Sequence, residues 1–176
     1  MLPFYAMYNE AEELFKNAKY NEAAKIFFKL AELTNKKEDK KKYLQKAADS
    51  YQKIGSLDEE AACIFEISTL CEGKEKVDHL VSVWRIYILA IAVYQYDTSF
   101  EWKGEVNNLN GSYEEKINNY YNKAVNAIIL ALDEKGVEEK SLLEILGNEC
   151  VKRQNEGGWG SEYCWRSIHS AWNNKK

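Results

Sequence analysis

Along most of the chain, apolar residues recur at spacings of three and four, the rhythm of helices that bury one face. Stop signals cut this rhythm into segments. The pattern predicts helices over about 4–18, 21–34, 39–54, 57–72, 75–96, 112–134, 138–154 and 161–173, eight in all. Gly55, Gly73 and Gly136 stand where left-handed helix stops are expected. Ser56-Leu57-Asp58-Glu59 and Ser112-Tyr113-Glu114-Glu115 read as capping boxes, in which the serine accepts from an orphan amide and the glutamate reaches back. Residues 97–112 carry Asn and Gly without periodicity and read as an inserted loop. The fold class that follows is all-α: about four helix-turn-helix hairpins in a single helical-repeat domain over 1–176. Within it stand two clear repeats (4–72), long central helices with the inserted loop (75–134) and a degenerate C-terminal hairpin (138–173).

The first two hairpins repeat at an offset of 37 residues. Ala11 falls on Ala48, Glu22 on Glu59, Ala24 on Ala61, Phe28 on Phe65 and Leu33 on Leu70, with Ala18 on the turn residue Gly55. A period of this size is the mark of a helical array. The second helix of each pair shows a small-large-small order: Ala24, Phe28, Ala31; Ala61, Phe65, Ser68; Ala124, Ile128, Ala131; Cys164, Ile168, Ala171. These residues share a helix face. The small ones admit the partner helix and the large one fills the gap, so Phe28→Ala or Phe65→Ala is expected to cost ~3–5 kcal/mol. Ala11, Ala48, Ala90 and Gly147 are the matching close-approach points of the first helices.

Lys19-Tyr20-Asn21-Glu22-Ala23-Ala24, running on through Phe27-Phe28-Lys29-Leu30-Ala31-Glu32-Leu33, resembles the second half of a tetratricopeptide repeat. Tyr43 to Gly55 followed by Leu57-Asp58-Glu59-Glu60-Ala61-Ala62 is similar to the variant found in soluble NSF attachment proteins. The resemblance covers residues 4–72. It lacks the helix-ending proline of the family, and the loop Lys36 to Lys40 is inserted. It implies a right-handed stack of hairpins whose first helices line a groove for a peptide or helix of another protein, with no chemistry of its own. By that resemblance the groove residues are Tyr8, Glu12, Phe15 and Lys16 in the first repeat and Gln45, Asp49, Gln52 and Lys53 in the second, with Asn9 and Lys46 beside them.

Composition narrows the function classes. With 45% apolar and 30% charged residues the chain has the material for a packed core. A net charge of -4 argues against a broad nucleic-acid footprint, which needs clustered excess Lys and Arg. The one concentrated basic feature is Lys36-Lys37-Glu38-Asp39-Lys40-Lys41-Lys42, extended by Lys46. It reads as a solvated loop and helix start, with contact to phosphate or an anionic membrane surface as the alternative. His79 and His169 form no helical metal pair, and the acidic pairs Glu12-Glu13, Glu59-Glu60 and Glu138-Glu139 sit at helix starts or on exposed faces. The expectation is therefore no catalysis, no cofactor and no metal, with chelators leaving stability unchanged; a small helical enzyme is the alternative, which would need His, Arg and carboxylates to converge in a cleft. Cys63, Cys71, Cys150 and Cys164 show no paired spacing and read as small buried residues suited to a reducing cytoplasm. The N-terminus lacks the basic-then-apolar order of a secretory signal.

Two further segments stand out. Leu80 to Tyr96 is apolar on most faces, yet it falls short of a ~20-residue span and contains Arg85, so it reads as a buried helix. Arg85 needs a partner: either an acid such as Asp49 or Glu66, or a carboxylate of a binding partner reached from the groove. The last segment is aromatic, with Trp159, Tyr163, Trp165, Ile168 and Trp172. Trp165, Ile168 and Trp172 share a face that either caps the stack or serves self-association.

Overall fold

In the computed structural model the backbone is described for residues 2–101, 110–157 and 160–175, and side chains for 4–95, 114–157 and 160–175. Among these residues the chain is all-helical, in eight helices: α1 (Leu2–Lys16), α2 (Tyr20–Leu33), α3 (Lys37–Lys53), α4 (Leu57–Thr69), α5 (Gly73–Glu101), α6 (Asn110–Leu132), α7 (Glu139–Asn155) and α8 (Ser161–Lys175). Two expected boundaries move. The segment Lys37–Lys40 belongs to α3 rather than to an inserted loop. Helix also reaches Glu101 and α6 starts at Asn110, so both ends of the stretch expected to be a loop over 97–112 are helical, while 102–109 lie outside the described residues. The capping box at Ser112 and the ring of Trp159 lie outside the described side chains. The chain gathers into two compact units, Met1–His79 and Leu80–Lys176.

In the first unit, α1 packs on α2, α2 on α3 and α3 on α4, an up-and-down order of two hairpins. Their turns match at the 37-residue offset. Lys19 N–H donates to the Leu14 carbonyl (2.9 Å) and Ala18 N–H to that of Phe15 (3.1 Å), while Ser56 donates to Tyr51 (3.0 Å) and Gly55 to Gln52 (3.2 Å). Both turns pass through the left-handed region, at φ 58° for Ala18 and 70° for Gly55. Glycine meets that need without strain, whereas a β-carbon there costs about 1–2 kcal/mol. The Ser56 hydroxyl caps nothing, so the capping box expected at the start of α4 is not formed; the turn hydrogen bonds hold that end instead.

Ala11, Ala24, Ala31, Ala48, Ala61 and Ser68 are buried, as the small positions of the repeat require. The large positions are not. Phe28 is only half-buried and Phe65 is 36% exposed, so neither is the core residue of its helix. In α2 the buried stripe is centred one residue earlier, on Phe27 and Leu30, and in α4 it runs through Cys63 and Ile67, two residues to either side of Phe65. A helical stripe is roughly 100° wide, so a one-residue change of phase carries a side chain from its centre to its edge.

In the second unit α8 packs on both α6 and α7. Ala124, Ile128 and Ala131 are buried on α6 as expected. On α8 the buried face is Cys164, Ser167 and Ala171; Ile168 and Trp172 are half-buried and Trp165 is 46% exposed. From Leu80 onward α5 supplies the bulk of the core, with Leu80, Val83, Trp84, Ile88 and Ile91 all fully covered. The indole N–H of Trp84 donates to the Ser167 hydroxyl (2.9 Å), which in turn donates to the Cys164 carbonyl (2.8 Å). Gly73–Gln95 is long and apolar enough to cross a membrane by length and composition, so shortness is not what argues against a span. Burial is: 56% of its most apolar window lies inside the protein. Lys175 closes α6, donating to the Leu132 carbonyl and pairing with Glu139 (2.7 Å).

Candidate functional site

The face shared by α1 and α3 gathers part of the expected groove set. The rings of Phe4 and Tyr8 meet Tyr43 at 5.7 and 5.9 Å, and Tyr8 meets Phe27 edge-on at 6.1 Å. Above these rings sit two ammonium groups, Lys42 5.0 Å from the centre of Tyr8 and Lys46 5.4 Å from that of Phe27. Lys46 also pairs with Glu12. Burial raises the affinity of Glu12 for a proton, but the Lys46 ammonium and the Tyr8 hydroxyl outweigh it and hold the carboxyl below its ordinary range.

The rest of the set is placed differently. Gln45 donates to Asp49 (2.8 Å) on the exposed side of α3, and Lys53 and Asn9 are exposed. Phe15 packs edge-on against Tyr20 of α2 (5.1 Å), and exposed Lys16 pairs with Glu13 of its own helix (2.8 Å). Gln52 donates to Glu60 (3.1 Å), a carboxylate buried at the start of α4. Burial pushes Glu60 above its ordinary range against the opposing Gln52 hydrogen bond, with Asp49 adding to the rise.

Arg85 belongs to the second unit, and its partner is neither Asp49 nor Glu66. It pairs with Glu149 of α7 (3.3 Å), which also faces Arg153 (3.6 Å), and Arg153 reaches the Arg85 carbonyl (3.4 Å). The Arg85 side chain is 43% exposed and that of Glu149 16%. The long side chain thus reaches solvent with part of its length while its Nε stays covered beside Glu149.

Half of the basic run and its extension is paired within the first unit. Lys40 pairs with Glu66 (2.7 Å), Lys41 with Glu75 (2.8 Å) and Lys46 with Glu12, so these three charges are answered by acids of the protein itself.

One grouping was missed in the sequence. Cys71, Glu75 and His79 place one donor atom each within 4.8 Å of one another. The only signal is the spacing Cys-x-x-x-Glu-x-x-x-His, which no common helical metal motif shares. Lys41 joins them, held by Glu75 and also hydrogen-bonded to the Cys71 thiol. The other three cysteines are buried and free: Cys150 and Cys164 contact each other, and burial pushes the Cys63 thiol up to about 12. No protein-family model, curated protein or solved structure matches this chain.

Proposed function

We propose that the protein is a non-catalytic interaction module that holds a peptide or helix of another protein on the face of α1 and α3. The observation that carries this reading is the side-by-side placement of the two first helices. Tyr8 and Glu12 on α1 meet Lys42 and Lys46 on α3, and the exposed polar row Gln45, Asp49 and Lys53 continues the same helix. The half-buried rings of Phe4 and Tyr8, rimmed by charged side chains, suit a polypeptide, since the rings offer apolar area and the rim sets register. The resemblance of residues 4–72 to tetratricopeptide repeats supports the same face. A cytoplasmic setting suits four unpaired cysteines. The internal pairing of Lys40, Lys41 and Lys46 gives the phosphate-binding alternative no support.

Display selection of random peptides against the intact protein tests the reading. Enriched peptides should bind at least about tenfold more weakly to Asp49→Lys and Lys53→Glu, exposed positions on α3, and equally well to Lys25→Glu on α2. Peptides indifferent to the α3 changes, or none enriched, would refute it.

A further inference from the structure

We propose that Cys71, Glu75 and His79 form a binding site for a zinc ion, with water in the fourth position. On a regular helix, residues eight apart are separated by about 12 Å along the axis, so this spacing alone does not bring three side chains together. Here the chain turns at Gly73, φ 56°, just as α5 begins. That reversal brings the thiol of Cys71 up against the first two turns, where Glu75 and His79 follow one another at i and i+4 on the same face. Tetrahedral zinc sets its donors roughly 3.5 Å apart, given bonds of about 2.0–2.3 Å. Donors already within 4.8 Å need only side-chain rotation to reach that spacing.

The donor set selects the metal. A thiolate with an imidazole favours zinc over calcium or magnesium, which take oxygen donors. Three protein ligands of mixed type leave one open position. One member of the trio, Glu75, already holds a cation: the ammonium of Lys41 lies 2.8 Å from its carboxylate, and a metal ion would compete with it for that oxygen. A displaced Lys41 has a second carboxylate within reach, that of Glu38 at 4.0 Å. Glu75 is exposed and His79 half-buried, so the site opens to solvent from the side of its oxygen and nitrogen donors, with buried Cys71 at its floor. As the S–Zn bond forms, the thiol proton passes to solvent, so acid weakens binding.

The test is titration of the full-length, reduced protein with cobalt(II), followed by zinc(II). One equivalent of cobalt should produce the charge-transfer absorption of a thiolate ligand, and zinc should bleach it. Cys71→Ser should abolish the band. His79→Ala, which changes a half-buried side chain and is expected to leave the fold intact by circular dichroism, should weaken cobalt binding at least about tenfold. No thiolate band in the wild type, a band retained in Cys71→Ser, or unaltered affinity in His79→Ala would each overturn the site.

Discussion

The two units solve the problem of burying apolar surface differently. In Met1–His79 each helix buries one face, small residues admit the neighbour, and charge is handled by pairs at the rim such as Glu12–Lys46 and Lys40–Glu66. In Leu80–Lys176 one helix is covered on most sides, and its largest side chain, Trp84, must satisfy an indole N–H in the dry interior. A unit built of repeated faces spreads its stability over many modest contacts. A unit built around one helix concentrates it.

The largest expected effects test that contrast directly. Trp84→Ala should cost about 4–5 kcal/mol, since it leaves a cavity and strips Ser167 of its donor, and Phe27→Ala about 3–4 kcal/mol. Phe65→Ala should cost less than about 1 kcal/mol. Urea unfolding monitored by circular dichroism ranks the three; a Phe65→Ala cost equal to that of Phe27→Ala would return the repeat to the phase first expected. Next come two turns. Gly160 has φ 74°, and a β-carbon there would stand 3.1 Å from that of Ala92 and 3.2 Å from the Ile88 carbonyl oxygen. Gly55, at φ 70°, has open space. Gly160→Ala should therefore cost about 2–3 kcal/mol and Gly55→Ala about 1 kcal/mol, the dihedral strain alone. Equal costs would mean that the second unit yields as readily as the first.

The smallest effect separates rim from interior within the first unit. The folded-state proton affinity of Glu12 lies below its unfolded value, so its stabilisation is present at neutral pH and is lost as pH falls through the depressed folded pKa. That of Glu60 is raised, so its ionisation costs stability at neutral pH, and the cost disappears on acidification through the raised value. At pH 7, Glu12→Gln should lower stability by roughly 0.5–1 kcal/mol, while Glu60→Gln should be neutral or slightly stabilising. Thermal melts at pH 7 and pH 4 measure both, and a drop in melting temperature for Glu60→Gln at pH 7 would contradict the assignment.

The repeat was legible because it is written in residues with few alternatives: Ala11 and Ala48 at a close approach, Ala18 and Gly55 at the same left-handed turn. Its phase was not. Phe27-Phe28 and Ile64-Phe65 each offer adjacent apolar side chains, and periodicity over a short helix cannot choose between neighbours about 100° apart. That Arg85 needed an acid followed from its apolar surroundings, but Glu149 on a distant helix could not be chosen over other acids without the packing. The trio at Cys71 was hidden for a local reason, because its convergence depends on the backbone sign at Gly73. Of the groove set, Tyr8 and Glu12 keep to the α1–α3 face, whereas Phe15 is drawn to Tyr20, an aromatic partner on the other side of its hairpin.

Trp84 has an optical consequence. All five tryptophans of the chain stand at position 84 or beyond, and none lies in the first 79 residues. Indole emission is therefore blind to the first unit, whose ultraviolet signature comes from tyrosine and phenylalanine. Trp84, dry and hydrogen-bonded, should emit to the blue of the half-exposed Trp165. Ellipticity sees every helix, so a fluorescence trace and an ellipticity trace overlay only where both units lose structure together. Any gap between them belongs to the tryptophan-free half.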